Sequence, residues 1–193
     1  MFVRKAALRP VPAWAVVDAD SIENVERSLE TQELELQEAL DRGYRELDVK
    51  QAPLAAFAAQ ELSETEDELA QSLGYFLFVT VFLAFQEAFP RRMDSVGEAD
   101  LRMAAEMLAV DEALRAEDPA EVFDSDDVVA MGQPNVLSYV QHHLAEALEQ
   151  GEGDVDLEEL DKVYRAVLIE VIALSHGVIS PTGEIGPSRH DLA

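Results

Sequence analysis

The stretch Leu69–Phe89, LAQSLGYFLFVTVFLAFQEAF, decides how the rest of the chain is read. From Leu73 to Phe85 every residue is apolar except Gly74, Tyr75 and Thr80, and Phe76, Phe78, Phe82, Phe85 and Phe89 all fall in the stretch. At 100° per residue these side chains point in every direction, so a helix here keeps no face for water. It must be wrapped by other elements or lie in a membrane.

Ser63-Glu64-Thr65-Glu66 has the form of a capping box, with Glu66, Asp67 and Glu68 in the first turn where the helix dipole favours negative charge. Pro90 stops the hydrogen-bond ladder. The spacing therefore predicts a rod of roughly 36 Å near residues 65–89, the central post of a helical bundle. A strand-turn-strand reading of YFLFVTVFLAF lacks a turn signal. A membrane span needs about 20 unbroken apolar residues, more than the run supplies, and the N-terminal flank is a cluster of carboxylates.

Outward from the post, amphipathic segments follow on both sides. Ser21–Arg42 reads as one helix carrying Ile22, Val25, Leu29, Leu36 and Leu40 at three- and four-residue steps, a seam fit for the core or for a dimer. Gly43 reads as a break or kink, with Tyr44–Val49 a weak continuation. Pro53 opens a short Ala-rich helix over Leu54–Leu62. Ser95-Val96-Gly97-Glu98 is a second capping-box pattern. It leads into a helix to about Glu117 with one face of Leu101, Ala104, Ala105, Leu108 and Ala109, widened by Met103, Met107, Val110 and Leu114. A Met-bearing face suits either core packing or an adaptable groove. Asp118–Phe123 predicts a short turn and Asp124–Met131 a second short helical piece. Gly132-Gln133-Pro134 is a joint before a helix over Asn135–Gln150, whose inner face is Leu137, Val140, Leu144 and Leu148. Asp156 caps the last helix, Leu157–Ser175, and Gly177 suits a left-handed terminator. No repeat of solenoid length is visible.

The expected fold is therefore all-α, a single-domain bundle of about six to eight helices. A basic arm with Pro10, Pro12 and Trp14 occupies 1–20, the helical domain 21–177, and an irregular tail 178–193. Trp14 is expected to dock on its own chain or on a second copy.

Composition narrows the chemistry. There is no Cys, which excludes disulfides, thiolate metal sites and Cys nucleophiles. No secretory signal is visible, since Pro10 and Pro12 interrupt the N-terminal apolar run, so a cytoplasmic location is expected. The net charge is −26, from 40 acids against 14 Lys and Arg. That balance argues against nucleic acid and anionic membranes and for a basic partner, or else for solubility or salt adaptation alone. Arg4, Lys5 and Arg9 make the N-terminal arm the exception.

Three patterns carry possible chemistry. Glu152, Gly153, Val155, Asp156 and Glu159 resemble the second half of an EF-hand calcium loop, but Leu148 and Gln150 stand where its first carboxylates would be. Glu146-x-x-Glu149 and Glu158-x-x-Asp161 resemble the ExxE…ExxD pattern of all-α nucleotide pyrophosphohydrolases of the MazG type. That resemblance implies carboxylate-bound magnesium on a triphosphate, with a shorter connection here than in that family. Asp124-Ser125-Asp126-Asp127 matches the DxDD proton-donor string of certain terpene cyclases, which are far larger chains. Helical di-iron sites need Glu-x-x-His, and none occurs. His142 and His143 diverge by about 100° on a helix and cannot share an ion.

The reading that follows is a non-enzymatic acidic interaction protein, with no cofactor, of the inhibitor, immunity or adaptor type. Its contact residues are Glu152, Asp154, Asp156, Glu158, Glu159 and Asp161. The alternatives are a magnesium-dependent pyrophosphohydrolase using Glu146, Glu149, Glu158 and Asp161, and a structural homodimer with no ligand.

Overall fold

A computed structural model describes residues 8–29, 33–117, 124–150 and 156–181. Among them the chain is all-α. The helices are α1 (Ala19–Leu29), α2 (Glu33–Lys50), α3 (Ala52–Glu64), α4 (Glu68–Ala88), α5 (Glu98–Ala116), α6 (Ser125–Gly132), α7 (Pro134–Gln150) and α8 (Leu157–Gly177). A 3-10 turn over Ala13–Ala15 precedes them.

α4 is the post that its composition demands. It packs against α8, α1, α2, α7 and α3, and Leu77, Val79, Phe82 and Phe85 have no exposed surface. Its length and apolarity would let it cross a membrane, but it lies mostly buried in the bundle, which accords with a soluble protein. A second post stands beside it. α8 is also 21 residues long, and it buries an unbroken run from Ala166 to Ser175.

Several local expectations are corrected. α3 runs through Ser63 to Glu64, and the Ser63 hydroxyl donates to Gln60 O within that helix. The cap of α4 is Asp67, whose Oδ1 accepts from Ala70 N at 2.7 Å. The single helix expected over 21–42 is two helices, because α1 lies on α4 and α7 while α2 lies on α3 and α4, and one straight rod cannot follow both. Gly43 sits inside α2 without breaking it. A Cβ there would lie 2.6 Å from Val79 Cγ1, so glycine is required by close approach to α4. Gly177 is helical, and it brings α8 against Val96 and Asp94 rather than terminating in a left-handed turn. Met103, Val110 and Leu114 do not widen the core face of α5, and Leu148 leaves the inner face of α7; all four are exposed. The dimer seam of α1 and α2 is spent inside the chain, with Ile22, Val25, Leu29 and Leu40 buried. The turn expected at 118–123 lies outside the described residues.

The described parts of the two ends are bound to the bundle. Trp14 Nε1 donates to Val178 O at 3.3 Å. Val178 forms an antiparallel bridge with Met93, and Ile179 N donates to Arg92 O at 2.7 Å.

A repeat longer than any solenoid unit emerges from the packing. The order extended segment, α1, α2, α3, α4 is followed by extended segment, α5, α6, α7, α8. α1 packs on α4 as α5 packs on α8, and α2 packs on α3 as α6 packs on α7. α4 lies on α7 as α8 lies on α3. Individual bonds recur too. Tyr75 OH donates to Asp41 of α2, and Tyr164 OH donates to Asp126 of α6, both at 3.0 Å. The N-caps Asp67 and Asp156 precede Tyr75 and Tyr164 by the same interval.

Two buried glutamines lock the halves reciprocally. Gln51, before Pro-opened α3, donates to Asp94 O at 2.9 Å and accepts from Val96 N at 2.7 Å. Gln133, before Pro-opened α7, donates to Ala15 O at 2.6 Å and accepts from Val17 N at 3.0 Å. Each amide thus pairs like a short strand with the segment leading into the other half.

Candidate functional site

A cleft of about 450 Å³ opens between α5, α6 and α8. Its walls are Glu112, Arg115 and Ala116 of α5, Asp124, Ser125 and Asp126 at the start of α6, and Asp161, Tyr164, Arg165 and Leu168 of α8.

The floor is an ordered set of paired charges. Asp111 falls on the core face of α5 and is buried. Arg115, one turn on, donates to its Oδ2, and Ser125 Oγ donates to the same atom at 2.8 Å. Burial pushes the Asp111 carboxyl up, but the hydrogen bonds from Arg115 and Ser125 and the guanidinium charge outweigh it and hold the group below its ordinary value. Arg165 holds Glu112 bidentately through one edge of its guanidinium, Nε donating to Oε1 at 3.0 Å and Nη2 to Oε2 at 3.2 Å. Tyr164 OH donates to Asp126 Oδ2 and accepts from Gln141 Nε2 at 3.2 Å. Burial first, then the Asp126 charge, raises the Tyr164 phenol, so it stays protonated as a donor.

The exposed carboxylates of the lining are Asp124 and Asp161. A capping box at the start of α6, in which Asp124 N donates to Asp127 Oδ2 at 2.9 Å, orients the first. Because the floor arginines are engaged by Asp111 and Glu112, the surplus at the mouth is negative. The cleft can therefore accept a cationic side chain above a neutral floor.

The sequence-predicted residues distribute unevenly. Asp161 enters the cleft. Asp156 caps α8, accepting from Glu158 N at 2.9 Å and Glu159 N at 3.3 Å. Glu158 and Glu149 are exposed on their helices. Glu159 is turned inward at 7% exposure, where Oε2 accepts from Glu66 N at 2.9 Å and Oε1 pairs with Lys162. Those bonds, Lys162 first, hold its carboxyl below the ordinary value. Glu159 is thus committed to joining α8 to the start of α4, and it is free neither as a calcium ligand nor as a contact residue. Glu146 stands 3.6 Å from His142 Nε2 and 3.3 Å from His143 Nδ1. The pyrophosphohydrolase pattern is not assembled. Glu146 and Glu149 lie on α7, Glu158 and Asp161 on α8, and no cluster able to hold a metal occurs among the described residues. Glu152, Gly153, Asp154 and Val155 lie outside the described residues.

One buried acid escaped the sequence reading, and one histidine read there only as a poor metal ligand is half-buried among aromatic rings. Glu170, midway along α8, is fully buried and neither carboxylate oxygen has a hydrogen-bond partner. Its signal was visible as one acid inside VLIEVIAL. His143 lies edge-on to Phe76 at 4.9 Å and Tyr139 at 4.5 Å, and burial holds its imidazole below the ordinary value despite Glu146.

Comparison of the chain with protein-family models, with curated proteins and with solved structures found no match.

Proposed function

We propose that the chain is a non-enzymatic, cytoplasmic interaction module that binds a protein with a basic surface, as an inhibitor, immunity or adaptor protein would. The observation that carries this reading is convergence. Asp124 and Asp126 come from the start of α6 and Asp161 from α8, far apart in sequence, and the bundle brings them to one cleft. A lysine or arginine of the partner enters the mouth and meets carboxylates, while Arg115 and Arg165 remain neutralised beneath it. The wider charge of −26 steers a basic partner toward this face and raises the association rate at low salt.

The test is affinity capture with the intact chain and with the double variant Asp124→Asn/Asp161→Asn, at about 0.05 M and about 1 M salt. Both side chains are exposed, so the variant keeps the fold. Partners held by wild type at low salt, and lost both in the variant and at high salt, support the reading. Partners indifferent to both changes overturn it.

A further inference from the structure

The outward face of α5 is an apolar stripe on a strongly acidic molecule. Met103, Val110 and Leu114 are 37%, 52% and 49% exposed, and Met107 is half-buried beside them. Their steps of four, three and four residues are those of a coiled-coil seam, and they lie within one narrow arc of the helix. The exposed residues along one flank are small or paired in sign: Ala109, Ala113, Arg102 and Glu106, with Glu117 at the end. Leu101, Ala104 and Leu108 bury the opposite side of α5, and Met107 packs partly against the same core, while Met103, Val110 and Leu114 stay exposed.

The molecule contains its own control. Aligning the two halves on the segments clipped by Gln133 and Gln51 sets Met103 against Asn24 of α1, and Met107 against Ser28. Both counterparts are exposed and polar. The same fold position is therefore polar in one half and apolar in the other.

We propose that this face pairs with a second copy of the chain, α5 against α5 antiparallel about a two-fold axis level with Leu108 and Ala109. The face is self-complementary in that arrangement, as an isologous contact requires. Met103 and Met107 of one copy meet Leu114 and Val110 of the other. Arg102 comes beside Glu117 of the second copy, and the pair occurs twice by symmetry. Glu106 faces Ala113 of the second copy. Two chains of −26 repel each other, but the flank at this contact, Arg102 against Glu106 and Glu117, adds only −1 per copy. One helix face per copy is less than the roughly 1,200 Å² of a stable interface, so the dimer is weak and concentration-dependent.

Salt gives this contact an unusual sign. Screening weakens the repulsion between the acidic bodies while leaving the apolar seam intact, so the dimer tightens as salt rises. A contact with a basic partner does the reverse. Sedimentation velocity of the full chain, over a concentration series at about 0.1 M and about 1 M NaCl, reads the difference. The expected result is a monomer–dimer equilibrium that shifts toward dimer at high salt. Val110→Asp and Leu114→Glu weaken it by at least about tenfold, which is about 1.4 kcal/mol. Arg102→Glu weakens it, and Arg102→Glu combined with Glu117→Arg restores it. These positions are exposed, and an unchanged circular-dichroism melt certifies each fold. The cleft variant Asp124→Asn/Asp161→Asn dimerises as wild type does, so failure of one reading leaves the other standing. A chain monomeric up to ~1 mM in high salt, near the weak limit of measurable affinity, overturns the proposal. So does a dimer indifferent to Val110→Asp and Leu114→Glu.

Discussion

Glu170 is the residue most at odds with its surroundings. Burial alone holds its carboxyl well above the ordinary carboxylate range. The folded chain therefore keeps a proton that the unfolded chain releases near pH 4.3. Stability from this group is full below that value and declines as pH rises toward the raised folded value. Glu170→Gln should flatten the decline, and Glu170→Leu should stabilise the chain by about 1–3 kcal/mol at neutral pH by removing an unsatisfied buried group. Urea titrations at about pH 4 and pH 8 check both, the first lying below the value at which the unfolded chain releases the proton. His143 and His176 run the other way. Burial lowers both imidazoles, so their contribution is full above about pH 6.5 and is lost as pH falls through the folded values. Gly74 is a residue-scale constraint of shape. A Cβ there would lie 2.6 Å from Leu62 Cδ2 and 2.9 Å from Val163 Cγ1, where α3, α4 and α8 meet. Gly74→Ala should cost about 1–2 kcal/mol in thermal or urea unfolding, overpacking outweighing the gain in helix propensity. The Asp156 cap is legible in the sequence because it acts within three residues. Asp111 is not legible, although an acid on an apolar face with Arg one turn later is the pattern that would have revealed it.

At the scale of elements, local chemistry fixed which segments are helical, and neighbours fixed where those helices end. The α3–α4 boundary shows the division. Ser63 and Asp67 both satisfy the rules for a cap, and the chain uses Asp67 because α3 extends two residues further, through Ser63 to Glu64, where it packs on α4 and α8. Gln51 and Gln133 show the same limit from the other side. Each reads in sequence as a polar residue beside a helix-opening proline, and each turns out to be buried and bonded at both edges to a segment far away. Gln133→Ala should leave Ala15 O and Val17 N without these partners in the interior and cost about 2–4 kcal/mol, as should Gln51→Ala for Asp94 O and Val96 N. Chemical denaturation of each single variant measures the loss. The double variant tests coupling, because two clips acting on one interface between halves should give losses that do not simply add.

For the whole molecule, charge and topology act in opposite senses. The chain carries −26, and like charges spread over one bundle strain the compact state. The melting temperature should therefore rise between about 0.05 M and about 1 M NaCl as the repulsion is screened. The Glu112–Arg165 pair is half-exposed, contributes at most about 1 kcal/mol, and does not reverse that trend. A melt that falls with salt would mean that specific ion pairs, not net repulsion, govern stability. Opposing the charge is the apolar contact between α4 and α8, two helices of equal length that hold the repeated halves together.

Sequence alone determined the helical class, the buried post at α4, the joint before Pro134 and the excess of carboxylates, because periodicity, caps, breakers and composition act over a few residues. Only the tertiary structure decided that α8 is a second post, that the halves repeat, and which acids meet. Pairing Asp161 with Asp124 and Asp126, spending Glu159 on Glu66, and leaving Val110 outside the core depend on which helix faces which. That is set by the global packing of the helices, and no local rule encodes it.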